Sequence, residues 1–282
     1  MYNNVLIVAK KEFYDLLASR LILTVIAIYL ILIILNVNNL YNIFSDPSTN
    51  VSKNVNGNLS LLMLSILINI LSGYGAIVGI MIGSNSIASE RRGNALNTLL
   101  VKPVYRDTVI NGKLLGVIGF FICVFSIVIL FFTSAMFIIC GNSIAPFIGD
   151  YITRLPVILF TSLIFITFFI VLSMLMGILV KNQAFSLLLS FIAVFLSDMI
   201  RTTSFAGNIS LLFWMDRYHV EHVIRGLSPH GIITNFKNPF LEPSLSMSAA
   251  MNYVEPEIFR LIIFLLVVLV LCYIAFMRRD IA

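Results

Sequence analysis

The chain has 282 residues, 60% hydrophobic and 11% charged, with a mean hydropathy of +1.02. A soluble domain carries about 25% charged residues, so this composition excludes a soluble globular protein and suits one membrane domain of about six helices. The formal charge of +5, from 18 basic and 13 acidic residues, points in such a chain to asymmetric membrane loops rather than to nucleic acid.

Residues 1–20 read as an amphipathic helix lying in the membrane interface. Val5, Leu6, Ala9, Phe13, Leu16 and Leu17 share one face and Lys11, Tyr14 and Asp15 lie opposite; a short solvated tail is the alternative. The chain then turns at Arg20 into a first span, about 21–37. No small-x-small cleavage site follows this span, so it does not read as a cleavable signal. After an Asn/Ser-rich loop, the second span covers about 59–88. It carries Gly75, Gly79 and Gly83 on one face, a strip where another helix backbone can approach closely.

The densest charge lies at 89–113, between two uncharged blocks, 54–89 and 114–149. Leu96, Leu99 and Leu100 stand at i, i+3, i+4, which predicts a short amphipathic helix. Glu90 falls in its first turn, where negative charge suits the dipole, and Pro103 stops it near Val101. A helix of about 12 residues is marginal alone in water, so it needs lipid headgroups or another protein to lie on.

The third span covers about 114–140 and the fourth about 155–180, with Asn142, Pro146, Asp150 and Arg154 in the loop between them. The tight turn Lys181-Asn182-Gln183 leads into the fifth span, about 184–200, where Asp198 and Arg201 sit at pairing distance on a helix. A long mixed segment, 202–257, precedes the last span, about 258–277. Its Leu211, Leu212, Phe213 and Trp214 suggest short helices that re-enter or cap the membrane; an ordinary folded loop is the alternative. Asp216, His219 and His222 are either metal ligands on one helical face or a solvated polar face. Cys123, Cys140 and Cys272 lie in apolar runs without CxxC spacing and read as buried hydrophobes.

Placing both termini in the cytoplasm puts eleven basic and five acidic residues on the inner side, against seven and eight on the outer. The Lys/Arg bias supports that orientation and makes 89–113 cytoplasmic. The sequons at Asn50, Asn58 and Asn208 then fall outside. No G-x-x-x-x-G-K-[ST], H-E-x-x-H or G-x-S-x-G pattern occurs, so the chain shows no ATPase, metalloprotease or lipase set. The polar groups within the spans, Asn69, Ser72, Thr133, Thr161, Thr167 and Ser173, carry no proton, which argues against a secondary antiporter working alone.

S-E-R-R-G-N-A-L-N-T-L-L-V-K-P-V-Y-R followed by I-N-G-K resembles the cytoplasmic signature of ABC-2-type transporter permeases. Glu90, Arg91, Gly93, Leu96, Leu99, Leu100, Pro103, Arg106, Gly112 and Lys113 match it. Asn94 departs from it, since the family more often has Thr or another residue there. K-K-E-F-Y-D-L-L-A-S-R before the first span, the six-span layout and the late L-S-P extend the likeness. The resemblance implies an all-α permease subunit, an exporter by family likeness, in the cell membrane of a prokaryote. Its partners would be a separate ATP-binding-cassette ATPase subunit, which holds ATP and magnesium, a second permease copy or homologue, and lipid. No cofactor is implied in this chain. Residues 89–106 would form the coupling segment, with Glu90, Arg91, Arg92, Gly93, Leu96, Leu99, Leu100, Pro103, Arg106 and Lys113 as ATPase-coupling residues. Two alternatives remain open: a charge cluster at Glu90–Arg92 that only fixes topology, and a non-transporting scaffold that anchors a cytoplasmic complex.

Overall fold

The computed structural model describes residues 2–45, 59–92, 106–144, 148–201 and 223–278. Among these residues the regular elements are α1 (Tyr2–Ala18), α2 (Arg20–Ser45), α3 (Leu59–Ile68), a π-helical turn (Asn69–Tyr74), α4 (Gly75–Arg92), α5 (Arg106–Ile144), α6 (Ile148–Leu179), α7 (Gln183–Arg201), α8 (Pro229–Phe240) and α9 (Met247–Arg278). Six stretches are long and apolar enough to cross a membrane: Ile22–Leu40, Ser60–Ile87, Ile110–Ile139, Ile148–Leu179, Gln183–Arg201 and Met247–Met277. The protein is thus an all-α, multi-pass membrane protein. The fourth and sixth helices begin earlier than hydropathy suggests. Arg154, and Glu255, Pro256 and Glu257, fall outside the spans read from hydropathy but lie inside continuous helices, because membrane helices tolerate Pro and charge when neighbours satisfy the exposed groups.

Apolar burial does little to associate helices whose alternative solvent is equally apolar lipid; close backbone approach and interhelical hydrogen bonds do more. The second span against α6 shows this. A methyl at Gly75 would meet Ile166 Cδ1 at 2.3 Å, one at Gly79 would meet Ile166 and Ile170 side chains at 3.1 Å, and one at Gly83 would meet the Ile170 carbonyl oxygen at 2.7 Å. The glycine strip therefore lies directly on α6, and Ser173 Oγ donates across the contact to the Ile80 carbonyl at 2.7 Å. α6 is the central rod, with α3, α4, α7 and α9 all packed against it.

α8 crosses no membrane. It begins beside the middle of α6, where His230 meets Phe165 and Phe169 edge-on and tilted, with ring centres 5.0 and 5.4 Å away. It ends near the start of α6, where buried Arg154 donates to the carbonyls of Phe240 and Leu245. Ser228 caps its first turn by accepting from Gly231 N–H at 3.0 Å, with Pro229 at the first helical position. Gly231 is required there because a side chain would strike the Arg225 carbonyl at 2.1 Å. A guanidinium on the last carbonyls of α8 complements its negative end.

Helix packing at Gly83 should respond to a single methyl. Gly83→Ala is expected to lower the melting temperature of the detergent-purified protein by several degrees, since the new carbon faces backbone that cannot swing aside. Gly149→Ala, with nothing within 4 Å, should leave it unchanged.

Candidate functional site

Asn111, Gly112 and Lys113 stand near the start of α5, and each joins it to a different helix. The Tyr273 hydroxyl on α9 donates to Asn111 Oδ1, which brings the end of α9 to the start of α5. Gly112 and Gly116 let α1 lie flat on α5. A methyl at Gly112 would meet Val8 Cβ at 2.6 Å, and one at Gly116 would meet the Ala9 carbonyl at 2.7 Å and Glu12 Cβ at 2.8 Å. That contact brings Glu12 over Lys113, whose ammonium lies 2.9 Å from Glu12 Oε2 with side-chain exposures of only 6% and 17%. Ser86, near the end of α4, completes the cluster. Its hydroxyl donates to Glu12 Oε1 at 3.0 Å, and Lys113 donates to its Oγ and carbonyl at 3.2 and 3.3 Å.

Four helices, α1, α4, α5 and α9, are thereby tied together at the end of the bundle that carries both terminal helices. An ion pair taken out of water is net favourable only when its remaining donors and acceptors are also met; Ser86 does that here. Such a junction is stiff, so force applied to α1 or to the end of α4 is passed to α5.

The sequence model of the ABC-2 family transporter proteins matches residues 6–281. The chain belongs to that family. No curated protein matches it.

In this ABC-2 permease the sequence-derived coupling residues fall in three groups. Glu90, Arg91 and Arg92 belong to the last turn of α4, not to the first turn of a separate helix, because α4 runs on past Ala88. Arg106 opens α5. Gly93, Leu96, Leu99, Leu100 and Pro103 lie outside the described residues, as do Asp216, His219 and His222. Lys113 faces inward, bonded to Glu12 and Ser86.

Two further differences concern the amphipathic faces and the polar groups. Of the residues read onto one face of α1, Phe13, Leu16 and Leu17 pack on the core, while Leu6 is 58% exposed, beside exposed Ile7. Glu12 escaped the sequence reading, although a lone carboxylate within an apolar stripe is the signal that would have found it. Of the polar groups within spans, Ser72, Thr161 and Thr167 bond their own helix, while Thr133 meets Tyr151 at 2.7 Å. Asn69 instead faces a chamber of about 600 Å³, formed between the π-helical turn, the end of α7 and α8.

That chamber holds His230 on α8, whose ring Nδ1 lies 2.9 Å from Ser197 Oγ. Burial pushes the imidazole down from 6.5 to about 4, against a smaller opposing pull from Asp198 and with a further push from Arg201. The neutral ring is therefore favoured in the folded state. Stability from this group is complete above the ordinary pKa of 6.5 and is lost as pH falls through that value toward 4.

Two outcomes follow. Glu12→Gln or Lys113→Met alone should each cost about 3–5 kcal/mol, as expected for orphaning a buried charge, while the double variant should recover most of the loss; denaturation of all four proteins in detergent completes the cycle. His230→Gln should reduce the drop in melting temperature between pH 7 and pH 5 relative to wild type.

Proposed function

We propose that this permease is the membrane half of an ATP-driven exporter, and that the Asn111–Gly112–Lys113 junction carries the stroke of a separate ATPase subunit into the spans. Family membership supports the ATPase partner. The Lys/Arg bias supports a cytoplasmic location for the end that carries the termini. The observation that carries the reading is the buried Glu12–Lys113–Ser86 cluster. It welds an otherwise separate N-terminal helix to the two helices that flank the charged segment 89–106.

In this mechanism residues 89–106 form the coupling segment. Its Leu96, Leu99 and Leu100 seat in a cleft of the ATPase, with Glu90, Arg91 and Arg92 as charged contacts. Lys113 does not touch the ATPase. It acts from inside the bundle, holding α1 and α4 so that they move with α5 when the ATPase pair closes on ATP. A second permease, identical or homologous, completes the pathway. The chain carries no phosphate-binding loop, so hydrolysis belongs to the partner.

Coupling and topology are tested together. Leu99→Asp and Arg92→Glu should insert normally yet lose co-purification with the ATPase or the stimulated turnover; a stably inserted Leu99→Asp protein with normal transport would remove the coupling role. With Asn94→Cys, a membrane-impermeant thiol reagent should react in inside-out vesicles and not in intact cells. The double variant Glu12→Gln/Lys113→Met should fold and bind the ATPase but show reduced stimulated turnover, which separates transmission from docking.

A further inference from the structure

We propose that the chamber between the π-helical turn, α7 and α8 binds an amphiphile with an anionic headgroup, held by Lys237 and Asn69, with its apolar tail along the exposed face of α7. The chamber reaches from the middle of the second span to the end of α7. Asn69 and Tyr74 bound the turn in the second span, and Asp198 and Arg201 stand at the end of α7.

The charge balance selects the headgroup. Among the described residues, Asp198, Arg201, His230 and Lys237 line the chamber together with the Tyr74 phenol. Asp198 and Arg201 are paired at 2.9 Å, and His230 is held neutral by burial. Among the described residues Lys237 has no acidic group within 4 Å. Its ammonium donates to Asn69 Oδ1, at 3.4 Å. Among the described residues it is the lining cation with no carboxylate beside it. Burial and the Arg201 cation both push its pKa down, so an approaching anion relieves that cost. A half-buried cation beside apolar surface suits an anionic group carried on an apolar chain.

Shape selects the tail. One wall of the chamber is apolar, with Phe191, Val194 and Phe195 of α7 facing Tyr74 and Ile77. Phe195 is 70% exposed and Leu188, Ile192 and Leu196 on the same helix are also open. A small hydrophilic anion would leave this wall uncovered. A phosphate-type headgroup on an acyl chain meets both halves, with the head on charge-assisted hydrogen bonds and the chain on aromatic surface. The π turn makes the arrangement possible, since its wider coil turns Asn69, Gly73 and Tyr74 toward one opening.

The test uses the full-length permease in detergent, without its ATPase, so it is independent of the coupling reading. Short-chain phosphatidylglycerol, short-chain phosphatidylcholine and inorganic phosphate are titrated separately, with melting temperature and native mass spectrometry as readouts. Phosphatidylglycerol should raise the melting temperature and appear as a bound adduct, whereas the other two should not. Lys237→Gln should weaken binding about tenfold, Lys237→Arg should retain it, and Phe195→Ala, at an exposed position, should weaken it several-fold. Equal binding of phosphatidylcholine, or full binding by a folded Lys237→Gln protein, would overturn the headgroup assignment. Equal stabilisation by inorganic phosphate would overturn the amphiphile and leave a free-anion site. If Lys237→Gln does not fold, loss of binding in Phe195→Ala together with retention in Lys237→Arg supports the proposal, and unchanged phosphatidylglycerol affinity in Phe195→Ala rejects it.

Discussion

An ammonium group withdrawn from water must be met by a carboxylate and by acceptors for its remaining protons, and in this protein that requirement organises one whole end of the bundle. Lys113 on α5 is almost fully covered, and Glu12 and Ser86 supply what water no longer does. Neither partner is on α5. The pair therefore works only if α1 and α4 are both in place, and the glycines at 112 and 116 exist at the contact because α1 could not otherwise come near enough. A helix that composition alone would leave floating on the membrane surface is instead part of the packed body.

Different forces hold different depths of the molecule. At the end with the termini, charge and hydrogen bonds dominate. In the middle, where lipid competes on equal terms for every apolar side chain, the second span and α6 are joined by the absence of side chains at Gly75, Gly79 and Gly83. Toward the opposite end, Arg154 reaches across from α6 to the Phe240 carbonyl that ends α8 and to the Leu245 carbonyl beyond it. Its guanidinium also lies 5.6 Å from the Phe240 ring, at a favourable distance for cation–π attraction. α2, α7 and α9 keep broad open apolar faces, as expected where lipid or a second membrane subunit is the neighbour.

Much of this was legible from residue order. Hydropathy located all six spans, because runs of about 20 apolar residues have few other uses. The glycine spacing marked a packed face, although the pattern contains nothing that names α6 as the neighbour. The I-N-G-K stretch was visible as part of a family signature, but its physical content was not. A lysine after a glycine reads as a surface charge until the helix that fills the glycine's space is known to bring a glutamate with it. The apolar face of α1 was visible, but not that part of it lies on α5. The π turn at N-I-L-S-G-Y left no trace, since a widened coil uses the same residues as an α-helix and differs only in which carbonyls are bonded. Arg154 concealed the start of α6, because a charged residue counts against a span unless its acceptors, here more than eighty residues away, are already known.

The π turn leaves the second span one residue out of phase with itself. Above Asn69 and below Tyr74 the rod presents faces displaced by about 100° from those of an unbroken helix, so α3 and α4 are free to match different neighbours. A single rod thereby seats its glycine strip on α6 while the widened turn before that strip opens onto the chamber.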